Sequence, residues 1–551
     1  MTRPRFIQPA LPTLAVLLVA CTLSTVQNQE PASTATPVSL SPVGEEVQYG
    51  VWLHPALPPT LAAAATSVFE DPTFVRSDTP EAAAVQITPW PGEASPLRTT
   101  WIYAVVAPFP TVPDDIGWEA LGRYWQGDPG ALPEFGTPQL ILSQDSAELL
   151  TVTYGPTAPG TPLTIAPAEQ VLDQAWATRP ALSVVPFESL DPRWKVLAVD
   201  GQPAIDKALN IEEYPFAVEF GLTGDPAVAA QIAETIQSKG TWPTSNVDPM
   251  RMTVVTMTGV TALSRAVAWN MENIGIEAQG ADIKPLLADA DILHVSNEVA
   301  FAPGCPPPDP NGEPKFCSDD RYMALLRDLD PDVIELTGNH INDWGVEAFV
   351  HTLDVYDQDE IPYFGGGRSL DEARQTVVIE SFGNRIAFLG CNLPGPAKAW
   401  AADLYAGAAP CDDYAAFQAQ VAAAREAADV VIATQQYYEF EHPDPTPQQV
   451  ADFTAISEAG ADIVSGSQAH QPQTLAFHQG RFIHYGLGNL FFDPLEDVKK
   501  QFFIDQHVIY DGRHISTVLL TGRIENYGRP APMAPEERRA FLALMFAESG
   551  W

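Results

Sequence analysis

From residue 252 onward, short apolar runs alternate with stretches whose apolar residues recur at helical spacing. The runs at 252–257, 292–296, 333–336, 386–389, 430–434, 463–464 and 482–485 have the length of buried strands. The stretches at 262–273, 319–329, 346–356, 414–428 and 447–459 carry the spacing of amphipathic helices. This alternation predicts a layered α/β domain with polar loops at the strand ends. A hairpin follows, 501–510 and 513–523 around Asp511-Gly512, and then a helix at 535–547 with Pro535 suited to its first turn. Upstream, 101–106, 140–142, 182–185 and 194–199 read as strands, and 118–125 and 228–238 as helices. This is a second, mixed α/β region. Turn residues at 240–243 mark a boundary between the two.

At 551 residues the chain exceeds one compact core. Its N-terminus reads as a targeting segment. Arg3 and Arg5 precede an apolar run at 11–20, and Leu18-Val19-Ala20-Cys21 resembles a bacterial lipobox, in which the leader is cut before a lipid-carrying Cys21. The run is too short for a transmembrane helix, so acyl chains would anchor the mature protein outside the cytoplasmic membrane. Residues 24–44 are rich in Ser, Thr, Pro and Gln and read as a tether. The expected division is a leader at 1–20, a tether at 21–45, an α/β domain at 46–241, a second domain at 250–530 and a C-terminal helix at 531–551.

The composition is globular, with 46% hydrophobic and 18% charged residues. A net charge of -41 repels phosphate backbones, which argues against nucleic acid as a partner. Four cysteines follow Cys21. Cys305 with Cys317, and Cys391 with Cys411, bracket two loops rich in Pro or Gly. An even count in local pairs in an exported chain reads as two disulfides; a metal site is the weaker reading, because no CxxC spacing occurs.

The chemistry gathers at the predicted strand ends. Gly338-Asn339-His340-Ile341-Asn342-Asp343 lies between a strand and a helix, so an amide, an imidazole and a carboxylate share one loop. Its plainer role is a polar turn that caps the next helix. Other strand ends supply Thr258-Gly259, Glu298, Gln435, Gln436 and Glu439, then Gly466-Ser467-Gln468-Ala469-His470, and finally Tyr485-Gly486-Leu487-Gly488-Asn489-Leu490-Phe491-Phe492-Asp493. His340 is the candidate general acid or base, because imidazole titrates near neutrality. Asp343 would orient it, and Glu298 needs a partner after a buried strand. Asn339, Gln435, Glu439, Gln468, His470 and Asn489 are the candidate substrate-binding residues. Gly365-Gly366-Gly367 reads as a loop.

In this order the segments resemble the capsule-synthesis CapA family of poly-γ-glutamate biosynthesis, over about 251–523. The loop from Gly338 to Gly345 is like the family's (N/G)NHxxDxG, and that from Tyr485 to Asp493 like its YxLGNFxFD. That family resembles calcineurin-like metallophosphatases, which implies an αββα sandwich with its site at the strand ends. The smaller preceding domain resembles, at Ala107 to Thr111, Trp125 to Gly127 and Val184 to Phe187, a type-2 periplasmic solute-binding domain. In the metallophosphatases Asp, His and Asn hold two divalent ions. Here Thr258-Gly259 stands where Gly-Asp is expected, and Gln435 and Gln468 stand where His is expected. These changes argue against a dinuclear centre and leave room for at most one divalent ion. The resemblance implies a cell-surface polymer or its precursors as partner, with the membrane reached through the lipid. It leaves open amide hydrolysis or transfer, non-catalytic binding, and phosphoester hydrolysis.

Overall fold

The computed structural model describes residues 47–240, 242–310, 316–411, 414–440, 442–494 and 496–551. The expected leader, Cys21 and the tether lie outside the described residues. Residues 252–532 build two β-sheets that pack face to face, each covered by helices on its outer side. One sheet runs in the order Tyr363–Phe364, Val333–Glu335, Ile292–Asn297, Met252–Thr261, Gln501–Tyr510, Arg513–Glu525 and Arg529–Pro532, with Asn489–Phe491 beside Met252–Thr261. Its first four strands are parallel, and its last three turn back on one another as antiparallel neighbours. The other sheet runs Val377–Ser381, Asn384–Asn392, Val430–Gln436, Ile463–Ser467, Arg481–His484 and Leu475–His478, parallel except at its two edges.

Successive side chains on a strand point to opposite faces, and here both faces are covered. Ile292 and Val333 enter the core between the sheets, where they meet Ile386, Phe388, Val430 and Ile432. Their neighbours Leu293 and Ile334 face the helices Arg265–Ile274, Met323–Leu329 and Val346–Gln358. On the far side, Ala387, Leu389, Val431 and Ala433 pack on Ala415–Ala427 and Pro447–Ala459. The result is the layered α/β domain expected from the alternation, in the αββα arrangement that the family resemblance implied. It explains why the strands read as continuous apolar runs: no strand face in the middle meets water.

A separate eleven-stranded sheet uses strands from Tyr49–Leu53 to Ala217–Gly224. Its long central strand Arg98–Pro108 pairs with Ala217–Gly224, Ala181–Pro186 and Trp194–Val199. Both regions lie within one unit, Gln48–Trp551. Tyr49–Leu53, Val85–Pro89, Val377–Ser381 and Arg529–Pro532 are strands that the apolar pattern did not reveal. The triglycine segment is corrected: Gly366–Gly367 pairs with Gly407–Ala408 as a short antiparallel ladder. Gly366 is so close to Leu336 that a Cβ there would stand 2.7 Å from the Leu336 Cβ. Both predicted disulfides, Cys305–Cys317 and Cys391–Cys411, are formed.

Candidate functional site

The C-terminal ends of the parallel strands in both sheets open on the same side, where ligands of open α/β sheets bind. Glu298 follows Ile292–Asn297, and residues 338–343 follow Val333–Glu335. The two segments touch through Gly338, where a Cβ would stand 2.6 Å from the Glu298 Cα. Across the gap, Gln436 ends Val430–Gln436 and Gln468 follows Ile463–Ser467.

Gln436 is the node. Its Nε2 donates to Gln468 Oε1, and lies 3.3 Å from Asn339 Oδ1 and 3.5 Å from Glu298 Oε1. Its Oε1 accepts from the Ser467 hydroxyl at 2.7 Å. Ser467 leads to a deeper buried pair, in which His294 Nε2 stands 3.2 Å from Glu335 Oε2 and Thr337 donates to Glu335 Oε1 at 2.5 Å. Burial alone would raise the Glu335 carboxyl, but bonding and charge from His294 outweigh it and hold it below the ordinary value.

His340 Nδ1 is 2.6 Å from Asp343 Oδ2, and Asp343 Oδ1 is 2.7 Å from Lys398 Nζ. Burial works to lower the imidazole. The Asp343 bond, reinforced by the charges of Glu298 and Asp343, wins and holds it above its ordinary value. Burial works to raise Asp343, but its bonds to His340 and Lys398 depress it. The His340 ring stacks on Phe316, with centroids 3.9 Å apart, and the Arg265 guanidinium stands 5.6 Å over that same Phe316. Arg265 also reaches Asp493 at 3.4 Å, and burial lifts the Asp493 carboxyl despite Arg265.

His470 completes the cluster from the other sheet. Its Nδ1 is 2.8 Å from Asn489 Oδ1, Asn489 donates back to the His470 carbonyl at 2.9 Å, and its ring lies 4.3 Å from Phe492. Asp493 feels the charge of both Arg265 and His470. Gln468 (φ 85°), His470 (φ 52°) and Arg265 (φ 52°) all hold left-handed backbone, a strain that persists only where surroundings impose it.

Of the residues singled out from sequence, Glu298, Asn339 and Gln468 meet at Gln436, with His340 and Asp343 beside Glu298; His470 and Asn489 bond to each other and connect to this group through Asp493 and Arg265. Gln435 does not join them: its amide donates to the Tyr414 hydroxyl and lies 3.9 Å from the Cys411 sulfur, on the opposite face of its strand. Gln436 takes the place expected for it. Glu439 stands at the rim, paired with Lys499 at 3.2 Å. Sequence reasoning missed Gln436, Arg265, Lys398 and Phe316 as members. Strand alternation shows that 435 and 436 face opposite ways but not which one faces the site. Nothing local signals the other three.

The donors do not fit a pair of divalent ions. The centre is built of amides, His340 spends Nδ1 on Asp343, and among the described residues no group of three or more His, Cys, Asp or Glu is placed to hold a metal ion. The first strand end carries no carboxylate. A Cβ on Gly259 would stand 2.2 Å from the Gly488 carbonyl oxygen, so the backbone fills the space an acidic side chain would need.

Fold and site together define an αββα sandwich whose strand-end loops are joined by amides and two imidazoles. Residues 222–494 match the family model described as bacterial capsule synthesis protein PGA_cap. Over that span the chain is similar to the capsule-synthesis CapA family. It is 30% identical over 174 residues to the PGA biosynthesis protein CapA of Bacillus subtilis (strain 168), covering 31% of this chain and 45% of that protein. It is 26% identical over 217 residues to the capsule biosynthesis protein CapA of Bacillus anthracis, covering 38% and 53%. The chain thus spans about half the length of the curated relatives it matches. A putative 5'-nucleotidase from Staphylococcus aureus overlaps 54% of this chain and 58% of its own at 12% identity, with a TM-score of 0.34.

Proposed function

We propose that this protein works outside the cytoplasm in the synthesis or processing of an anionic surface polymer of poly-γ-glutamate or capsule type, by hydrolysis or transfer at an amide bond. The observation that carries this reading is the convergence of the family's loops on His340. Asp343 fixes Nδ1, so Nε2 is the nitrogen that exchanges a proton with the scissile amide or an attacking water. Glu298, one carboxylate oxygen of which has no partner among the described residues, is the acceptor for a substrate N–H. Asn339, Gln468 and His470 bind the substrate carbonyl and carboxylate groups. Arg265, Lys398 and Lys499 offset locally the repulsion that a chain of net charge -41 exerts on a polyanion. Two disulfides fit an oxidising compartment, and with the leader and Cys21 they support a lipid-anchored, extracytoplasmic protein. The preceding α/β region serves in this reading to bind a small solute.

A second reading, a binding or scaffolding lipoprotein without turnover, is favoured by the amides at the centre. The two separate on incubation of the purified chain with γ-linked polyglutamate of defined length. Release of new amino groups, abolished in His340→Ala, supports the enzyme; saturable binding without any shortening or transfer overturns it in favour of the scaffold. A phosphoesterase would instead turn over a simple phosphate monoester with added manganese.

A further inference from the structure

A cavity of about 590 Å³ lies away from this site, between Trp194–Val199 of the eleven-stranded sheet, the strand Arg513–Glu525 and the helix Pro535–Glu548. Its volume is that of a small-molecule pocket. The middle of its wall is apolar, with Val196, Ala198, Ile205, Val508, Val518 and Leu520. The ends are charged, and oppositely so. At one end Lys195 and Arg538 share a single carboxylate: Lys195 Nζ is 2.8 Å from Asp114 Oδ1, and Arg538 binds both Asp114 oxygens at 2.5 and 3.1 Å. Desolvation outweighs Asp114 and lowers the Lys195 ammonium to about 8. Lys195 gives its other protons to the Thr111 and Val112 carbonyls, and Arg538 Nη2 also donates to the Leu519 carbonyl. Arg538 Nε has no bonded acceptor among the described residues. At the other end stand Asp206, Asp289 and Lys207, whose charge is spent on Asp291 at 2.8 Å. One further wall group lacks a partner: the Ser516 hydroxyl, on a residue 1% exposed.

We propose that this cavity is a binding site for an amphipathic monocarboxylate, its apolar chain along the Val196, Ala198, Val518 and Leu520 wall and its carboxylate at Arg538, beside the Lys195 charge. The pairing is set by charge. Two half-buried cations share one carboxylate and so attract a second anion, and the acidic far end rejects one, so the ligand enters in a single orientation. A cationic amphiphile would place its charge against Lys195 and Arg538 or have to reverse.

The test uses the full chain and dodecanoate, titrated by calorimetry, with dodecyltrimethylammonium and dodecanol as comparisons. Dodecanoate binds with a stoichiometry of one and more tightly than either. Arg538→Gln weakens it about tenfold through loss of a charge-assisted bond. Val518→Trp, which fills the middle, abolishes it; Ala198→Phe gives the same readout if the Trp variant does not fold, folding being checked by circular dichroism. The proposal is overturned if dodecanoate does not bind, if a folded filling variant binds it unchanged, or if either comparison amphiphile binds equally well.

Discussion

Placing a side chain at residue 259 tests whether the first strand end is closed to an acidic ligand by packing. The Cβ would stand 2.2 Å from the Gly488 oxygen and 2.9 Å from its carbonyl carbon, and both are backbone atoms that cannot swing aside. Alanine must therefore displace the 486–489 loop, an overpacking cost of about 2 kcal/mol. Aspartate adds a carboxylate beside Val260 (2% exposed) and Thr261 (0%), with no cation bonded there, which brings the total to about 4 kcal/mol or more. The next residue, Asn489, holds the His470 ring and carbonyl, so the displacement must reach the site. Urea unfolding at neutral pH gives the stabilities of Gly259→Ala and Gly259→Asp, and imidazole resonances report His470. The reasoning fails if Gly259→Asp loses less than about 1 kcal/mol, for then the loop yields freely. It also fails if that variant takes up a divalent ion stoichiometrically.

Other consequences are equally direct. Asp343→Asn should lower the His340 imidazole toward its ordinary 6.5, as followed by ring NMR. Because the folded value is raised, the stabilisation from this pair is complete below pH 6.5 and fades as pH climbs through the folded value; a variant with the parent's titration and profile would contradict the assignment. Gln436→Leu strips partners from Ser467, Gln468 and Asn339 and should cost about 3 kcal/mol while shifting His340 and His470 resonances. Gln435→Leu frees only the Tyr414 hydroxyl, costs about 1 kcal/mol and should leave both imidazoles alone; equal effects on them would refute the placement of the two glutamines. His507, fully buried, is held well below the ordinary imidazole value of 6.5 by desolvation and by the charges of His514 and His484. Stability should therefore be full above pH 6.5 and fall below it by up to about 1.4 kcal/mol per pH unit, and a flat profile from 6.5 to 5 in calorimetric unfolding would rule this out.

The sandwich was legible because its strands and helices differ in period and its helix ends carry signals. Pro447–Ala459 was read from its spacing; in the structure it begins with a Thr446 hydroxyl accepting from the Gln449 N–H and stops at Gly460, whose φ is positive. Val377–Ser381 was not legible: it is an edge strand whose residues are only half-buried or exposed, so no apolar run marks it. The site was legible loop by loop, since each loop follows a strand. Its membership was not, because Arg265, Lys398 and Phe316 arrive from segments far apart in sequence, and only folding sets them around His340 and Asp343.

The substitution of glutamine at this centre changes what holds the loops together. A carboxylate or an imidazole in a metal site needs the ion to reconcile its charge with its neighbours. An amide donates and accepts at once, so Gln436 ties Ser467 on one side to Gln468 and Asn339 on the other without any net charge. At this node the two sheets are thus joined at their open ends by hydrogen bonds between amides, and the deeper His294–Glu335 pair, linked through Ser467, extends the same tie into the core. What this arrangement leaves over is specific. Glu298 is 2% exposed and keeps one oxygen unpartnered among the described residues, while His340 is fixed at Nδ1 by Asp343. A buried acceptor in need of a donor, beside an imidazole held in one orientation, is costly to maintain for architecture that the amides already secure. That cost is understandable only if something with an N–H or O–H to offer completes the pair.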